Sequence, residues 1–163
     1  NYSKTIDLFK EAKADIGVSL GNGYITKSLF SIPKFGMINI HIELLPAFRG
    51  GAEIIWPIYE RVYETGFTIH QISSKFDKGD ILYQKKFPIK FYPTLKKTVL
   101  NNRNKILSQI PQAISYVCEN YINLKSESTS QGKGKLYTTP TFSQYKRMLK
   151  NNDLMYKESL LNK

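Results

Sequence analysis

The amino-acid sequence predicts an α/β fold with a mostly parallel sheet flanked by helices. Short apolar runs typical of buried strands alternate with longer segments whose apolar residues recur at helical spacing. The strand-like runs end at polar or glycine-containing loops, which is where ligands bind in open α/β sheets. With 163 residues, 41% of them hydrophobic, the chain can bury one core, so one principal domain is expected.

Strands and helices are predicted in turn along the chain. The strands are expected at residues 15–20, 37–41, 67–72 and 81–87. The helices are expected at residues 3–13, 52–64, 95–124 and 143–149, with a short helical turn at 25–30. Pro111 interrupts the third helix, which is therefore one kinked helix or two in succession.

The net charge of +11 comes from 24 basic and 13 acidic residues. These residues are spread over the whole chain, so we interpret the charge mainly as solvated surface. A diffuse positive field still attracts polyanions, which keeps RNA binding as a minority interpretation. No known nucleic-acid-binding motif supports it further.

Composition also limits the compartment and the chemistry. No signal peptide is visible and no apolar run approaches the ~18 residues that cross a bilayer, so a cytoplasmic protein without membrane contact is expected. One cysteine and two histidines exclude an internal disulfide and a Cys/His zinc site. Cys118 is expected to be a small buried hydrophobic residue.

A polar motif lies at the end of the 37–41 strand. Asn39 and His41 are two positions apart, so a strand directs both side chains to the same face. Pro46 and the following R-G-G run at 49–51 are expected to end regular structure. Because N-x-H is a weak signal by itself, structural roles for both side chains are the simpler interpretation of this stretch alone.

A second motif changes that interpretation. The run T-G-F-T-I-H at 65–70 leads into the loop D-K-G-D at 77–80. Together with N-I-H-I-E-L-L-P at 39–46, and in this order, it resembles the family of 10-formyltetrahydrofolate-dependent formyltransferases. The resemblance is close over residues 16–88 and implies a Rossmann-like formyltransferase fold with a short C-terminal appendage. The first β-α-β part of the family's domain is expected to be missing.

The resemblance implies formyl transfer from 10-formyltetrahydrofolate to an amine. Asn39 and a protonated His41 would stabilise the oxyanion that forms on the formyl oxygen, and Asp77 would assist proton transfer. A carboxylate raises the pKa of a neighbouring imidazole, so Asp77 is expected to help keep His41 protonated near neutral pH. No metal is expected.

Further binding residues follow from the resemblance. The folate is expected to contact Gly21, Asn22, Gly23, Leu44, Leu45, Pro46, Gly79 and Asp80. From the residues alone, a tight turn explains the G-N-G loop better, and Asp80 is equally explained by a hydrogen bond to its own turn. Arg49 and Gly50 are expected to bind the acceptor. The alternatives for Arg49 are the glutamate tail of the folate and a solvated surface role.

Two other side chains near the motifs have open interpretations. His70 is expected to be a structural histidine with satisfied hydrogen bonds, and a supporting role near the site is the lesser alternative. Glu43 departs from the small residue usual at this position in the family. Its carboxylate is expected either to alter acceptor recognition or to point to solvent.

The expected acceptor is an amino-sugar nucleotide or another small amine. The run R-G-G-A-E-I-I-W-P-I-Y at 49–59 is closer to the sugar and tRNA branches of the family than to the purine branch. The 38 residues after Lys125 are too few for the RNA-binding barrel of a methionyl-tRNA formyltransferase. The alternatives are a formyltetrahydrofolate hydrolase, a methionyl-tRNA or glycinamide ribonucleotide formyltransferase, and a non-catalytic folate- or RNA-binding remnant.

The expected organisation has three parts. Residues 1–124 would form the catalytic domain, 125–135 a linker or mobile loop, and 136–163 the appendage. The expected partners are folate and the amine, with nucleic acid disfavoured and a homodimer as an option.

Overall fold

The computed structural model describes residues 2–161; the expected domain limits at residue 1 and at 162–163 lie outside that range. In chain order the elements are α1 (Tyr2–Ala12), β1 (Gly17–Leu20), α2 (Lys27–Phe30), β2 (Met37–His41), β3 (Phe48–Gly50), α3 (Ile55–Tyr59), β4 (Glu64–Gln71), β5 (Ile81–Pro88), α4 (Leu95–Leu107), α5 (Ile110–Glu119), α6 (Tyr121–Ser126), β6 (Lys135–Tyr137) and α7 (Phe142–Leu161).

The central sheet has four strands in the order β1-β2-β4-β5. The α/β class, with a sheet flanked by helices, is confirmed. The expected parallel direction is wrong for most of this sheet, because only β1 and β2 run parallel, while β2–β4 and β4–β5 are antiparallel. The β4–β5 connection shows the reason: residues 72–80 are fewer than the dozen or so that a parallel crossover needs.

Two of the expected helical segments are shortened or divided in the structure. The segment expected at 52–64 is helical only over α3, and the one expected at 95–124 forms α4, α5 and α6. Pro111 lies in the first turn of α5. Backbone N–H groups in a first turn have no partner within the helix, so a proline costs no hydrogen bond there. Pro111 therefore begins a helix instead of kinking one. Within residues 2–161, no helix is both long enough and apolar enough to cross a membrane.

Two short strands, β3 and β6, were not predicted from the sequence. β3 and β6 have three residues each and pair in parallel, with Arg49 opposite Leu136. The expectation that regular structure has ended by Arg49 was therefore wrong. Neither strand is long enough to show an alternating pattern, and their pairing joins parts of the chain that are far apart in sequence.

The core is continuous from the sheet to the C-terminal helix. Ile38 of β2 and Phe67 of β4 are fully buried in it. Met148 and Met155 of α7 are also fully buried in the same cluster. The expected C-terminal helix is thus present and is an integral part of the core.

The segment expected as a linker is held by hydrogen bonds at several points. Thr129 forms a backbone bridge with Ile81, and Ser130 Oγ donates to an Asp80 carboxylate oxygen at 2.8 Å. The carbonyls of Gly132 and Gly134 accept from Arg49. The division of the chain at 125–135 stays a prediction of the sequence.

Cys118 is exposed, so the expectation that it is buried was wrong. Ala113 and Val117 give α5 its buried face. Cys118 follows Val117 and is turned about 100° away from it on a helix, which brings the thiol towards solvent.

Candidate active site

Asn39, His41 and Asp77 come together at the end of β2. Asn39 and His41 lie on this strand, and Asp77 lies in the loop that follows β4, which pairs with β2. The Nδ1 atom of His41 is 3.7 Å from Oδ2 of Asp77. The same carboxylate oxygen accepts the backbone N–H of Gly50 at 3.0 Å. The fold therefore joins the two motifs that are distant in the sequence.

His70 is a fourth member of the cluster. It lies directly opposite Asn39 in the β2–β4 ladder, and its Nε2 is 3.3 Å from Nδ2 of Asn39 and 3.7 Å from Oδ1 of Asp77. Its Nδ1 lies 2.8 Å from the Gln71 carbonyl, which can only accept, so Nδ1 carries the proton. The Nε2 lone pair then accepts from the Asn39 amide. A supporting role for His70 near the site was the lesser interpretation of the sequence. The only signal for that role was the position of His70 on the strand that leads to Asp77.

His41 also has a defined tautomer. Its Nε2 is 2.7 Å from the carbonyl oxygen of Phe48, so Nε2 carries a proton and donates it to that oxygen. The other ring nitrogen, Nδ1, faces Asp77. Nδ1 is therefore the ring atom that can accept a proton.

Burial decides the charge of His41. Desolvation lowers the pKa of His41 and outweighs the Asp77 carboxylate, which acts in the opposite direction. The expectation that Asp77 keeps His41 protonated near neutral pH was therefore wrong, because the ring is only 8% exposed. His41 is neutral at pH 7 in the free protein.

Asp77 stays ionised in the same environment. Burial by itself would raise the pKa of Asp77, but the polar contacts with His70 and His41 and the hydrogen bond from the Gly50 N–H together lower it. The cluster thus places a carboxylate beside two imidazoles. A proton taken up by His41 would form an imidazolium stabilised by that carboxylate.

Two cavities meet at this cluster, and Asn22, Asn39, Phe76 and Asp77 line both of them. One is narrow and also includes His70 and the aromatic ring of Tyr24. The other has a volume of about 390 Å³ and is bounded by the loop 50–53 and by Arg103. Asn39 and Asp77 therefore face two adjoining spaces that could hold ligands, and His41 faces the larger one.

The predicted folate residues divide into two groups. Gly21, Asn22 and Gly23 line the cavities. The remaining five, Leu44, Leu45, Pro46, Gly79 and Asp80, make other contacts. For example, Leu45 is 4% exposed and its N–H donates to Thr68 Oγ1, and the Gly79 carbonyl accepts from Gln131. The Asp80 carboxylate accepts from Ser130, so the hydrogen bond expected within its own turn is replaced by one to a distant loop.

Arg49 occupies neither of its expected environments. It is 5% exposed, and its guanidinium donates to the carbonyls of Gly132 at 2.7 Å and Gly134 at 3.3 Å. The parallel pairing of β3 with β6 brings the loop before β6 across this side chain. Its position fits an anchor for that loop, and does not fit an anion-binding group or a solvated arginine.

Glu43 differs from both of its expected roles as well. The carboxylate is buried, with Oε1 accepting from the N–H of Ile54 at 2.7 Å and from Thr65 Oγ1 at 2.9 Å. Burial raises the pKa of Glu43 from 4.5 to about 7, and the hydrogen bonds only partly offset this effect. The side chain therefore points inward, away from both solvent and acceptor.

The comparison with known families agrees with this geometry. The model of the Formyl transferase family matches residues 2–114, which is more than half of the chain. The chain belongs to the formyl transferase family. Asn39, His41 and Asp77 of the candidate site all lie within the matched region.

Individual relatives of this formyl transferase family member are considerably longer. A methionyl-tRNA formyltransferase of Ehrlichia ruminantium (strain Gardel) is 46% identical over 84 residues, covering 51% of this chain and 28% of the relative. The chain thus spans about a quarter of the length of that relative.

Solved structures share the fold. HypX from Aquifex aeolicus in complex with tetrahydrofolic acid matches with a TM-score of 0.68 and 20% identity, over 85% of this chain and 24% of that one. The formyltransferase PseJ from Anoxybacillus kamchatkensis, in complex with UDP-4,6-dideoxy-4-formamido-L-AltNAc and tetrahydrofolate, matches with a TM-score of 0.59 and 22% identity, over 85% and 78%.

Proposed function

We propose that this protein transfers the formyl group of 10-formyltetrahydrofolate to a primary amine. The observation that carries the proposal is the convergence of Asn39, His41 and Asp77 between two cavities, in a chain of the formyl transferase family. The donor would occupy one cavity and the acceptor the other, so that the reacting atoms meet at these side chains.

The narrow cavity fits the flat ring system of a folate. Tyr24 and Phe76 line it, and they are 60% and 48% exposed, so a bound ring would cover apolar surface that water now contacts. The amide of Asn22 and the hydroxyl of Ser73 border the same space and supply polar contacts. When bound, 10-formyltetrahydrofolate supplies an activated formyl group whose oxygen gains charge as the amine attacks.

Asn39 would stabilise that charge. Its amide nitrogen carries two hydrogens, and one is directed at Nε2 of His70. The other is free to donate to the formyl oxygen. Because His70 fixes the amide before the reaction, the donor does not have to reorganise when the charge develops.

His41 and Asp77 would move the proton. The amine must lose a proton as its nitrogen bonds to the formyl carbon, and Nδ1 of the neutral His41 is the ring atom that can accept it. Asp77 stabilises the resulting imidazolium. His41 then returns the proton to the folate nitrogen as its bond to the formyl carbon breaks, so that the histidine ends in its starting state.

For the acceptor we propose an amine that also bears phosphate, with an amino-sugar nucleotide as the first candidate. Arg103 lines the larger cavity, and its Nε donates to Glu53 at 2.9 Å, which leaves its other guanidinium hydrogens for an anion. Methionyl-tRNA is the second candidate, supported by the 46% identity to a relative of that name. Both share a primary amine and phosphate groups, and the net charge of +11 favours either.

The test is a transfer assay with the purified protein, 10-formyltetrahydrofolate and each acceptor in turn, following the formylated amine by mass spectrometry. Wild-type protein is expected to formylate one acceptor, and Asn39→Ala, His41→Ala and Asp77→Ala are each expected to reduce the rate by about 10²-fold or more. Formate release at the same rate without any amine would assign a hydrolase instead. Folded protein that gives neither product would overturn the proposal.

A further inference from the structure

The loop at residues 50–54 is held in a strained conformation. Gly50, Ala52 and Ile54 have φ values of +96°, +65° and +68°. The left-handed region suits glycine, but it is unfavourable for alanine and most unfavourable for a β-branched residue such as isoleucine. Such strain persists only where surrounding contacts impose it, and it is concentrated at functional sites.

Glu43 supplies the contact that holds this loop. Its Oε1 accepts the N–H of Ile54 at 2.7 Å, which is the most strained position in the loop. The same oxygen accepts Thr65 Oγ1 from β4 at 2.9 Å, and Oε2 accepts the N–H of Leu44 at 3.4 Å. The carboxylate therefore connects the loop to the central sheet.

The loop in turn forms part of the active site. At its first residue, the N–H of Gly50 donates to Oδ2 of Asp77. Its next three residues, Gly51, Ala52 and Glu53, line the larger cavity. A change in the loop would therefore reach both the catalytic carboxylate and the wall of the cleft.

We propose that Glu43 is a positioning residue for the reaction: its carboxylate holds loop 50–54 so that the Gly50 N–H is directed at Asp77 and the acceptor side of the cleft is shaped. The inference rests on the proposed function for its kinetic consequence. Its structural consequence does not depend on that function. Glu43 itself lines neither cavity as described above, so it acts through the loop and not on the substrate.

This positioning depends on the charge of Glu43. Burial and, to a smaller extent, the negative charge of Glu53 on the loop raise the pKa of Glu43 to about 7. The other groups packed against the carboxyl are the hydroxyl of Thr65 and the N–H groups of Ile54 and Leu44, all uncharged. When Glu43 is protonated, the carboxyl loses its negative charge and both oxygens accept hydrogen bonds more weakly, so the hold on the loop weakens as the pH falls through about 7.

The test uses Glu43→Gln, which has the same shape and keeps one accepting oxygen but cannot ionise. Hydrogen exchange of the Gly50 and Ile54 amides, followed by NMR and corrected for intrinsic rates, reports the loop directly. Protection in the wild-type protein is expected to rise as the pH increases from about 6 to about 8, and to stay low and constant in Glu43→Gln. The variant is expected to lose kcat by about tenfold to a hundredfold, with the KM for folate unchanged, because small displacements of reacting groups have effects of that size.

Thr98→Val is the matched control, since Thr98 is fully buried and accepts the N–H of Tyr92 away from the site. It is expected to lower stability without changing loop protection or the pH profile of kcat. If Glu43→Gln does not fold, Thr65→Val removes the partner hydroxyl instead, and unchanged protection at Ile54 in that variant would overturn the proposal. Wild-type protection and kcat in a folded Glu43→Gln would overturn it equally. A wild-type protein without transfer activity would disprove the proposed function, and the exchange data would still decide the role of Glu43.

Discussion

The charge state of each residue at the site follows from the balance between burial and neighbouring groups. Asp77 ionises despite its burial because the Gly50 N–H and the two imidazoles favour its charged form, whereas the Asp77 carboxylate is not enough to keep the buried His41 protonated. A neutral His41 can accept the proton of an amine. A permanently protonated His41 could stabilise an oxyanion but could not act as the base.

Replacement of Asp77 by asparagine is expected to lower the pKa of His41 further. The carboxylate is the main group that raises this pKa against burial, and asparagine keeps its size while removing the charge. NMR titration of the His41 ring in wild-type and Asp77→Asn protein measures the change directly. The same pKa in both proteins would show that the contact at 3.7 Å carries little electrostatic weight.

Replacement of His70 by phenylalanine is expected to reduce kcat by about tenfold to a hundredfold while changing folate affinity little. The ring shape is kept, but the Asn39 amide loses the acceptor that fixes it. A double-mutant cycle with Asn39→Ala checks the mechanism. Because His70 acts through Asn39, the double variant should be hardly slower than Asn39→Ala alone. Additive losses would show that His70 has a separate role.

For the secondary-structure elements, the sequence predicts the features that depend on a local residue pattern. The period of two on β2 places Asn39 and His41 on one face, and the D-K-G-D motif places Asp77 in a loop after β4, as observed. Burial and distant pairing are not local. The Arg49 guanidinium binds carbonyls 83 and 85 residues away in the sequence. Glu43 binds a strained turn that no sequence pattern predicts. These are the residues whose roles the sequence analysis missed.

Gly79 of the D-K-G-D motif allows two segments of backbone to approach closely. A Cβ atom at this position would lie 1.6 Å from the carbonyl oxygen of Gln71, so the loop that carries Asp77 could not approach β4. Gly79→Ala is expected to lower the free energy of unfolding by more than about 2 kcal/mol and to displace Asp77. Urea denaturation and the transfer assay measure the two effects.

Gly132→Ala is the control for this substitution. A Cβ at Gly132 would meet nothing within 4 Å, and the carbonyl that binds Arg49 is retained. Its effect should stay within about 0.5 kcal/mol, as is usual for surface positions. Equal losses in both variants would show that chain flexibility, and not the close approach to Gln71, explains the result.

At the scale of the whole molecule, the core extends beyond the region that matches the family. The match ends at residue 114, but Val117, Met148 and Met155 are fully buried in the same cluster as Ile38 of the sheet. Asn151 of α7 also donates to the carbonyls of Ile58 and Tyr59 at the end of α3. One core therefore extends from β2 to α7, and a titrating group inside it affects the stability of that whole unit.

Glu43 should accordingly impose a pH dependence on global unfolding. Its pKa is raised in the folded state from 4.5 to about 7, so global folding, which takes the carboxyl out of water, favours its protonated form. Opening of loop 50–54 alone leaves the carboxyl buried and removes the Ile54 N–H that lowers its pKa, so that local step has the opposite pH dependence. The contribution to global folding is fully present below about pH 4.5 and is lost as the pH rises through about 7, with a total on the order of 3 kcal/mol. Asp77 has a lowered pKa and acts in the opposite sense, since its contribution to stability is lost as the pH falls, well below this range.

Urea denaturation of wild-type protein and Glu43→Gln from about pH 5 to about pH 8 isolates the effect of Glu43. The wild-type protein should lose about 2 to 3 kcal/mol relative to the variant over this interval, even though the variant is the slower enzyme. Parallel stability curves for the two proteins would mean that Glu43 does not change its protonation on unfolding, and the charge-dependent hold on loop 50–54 would then have no basis.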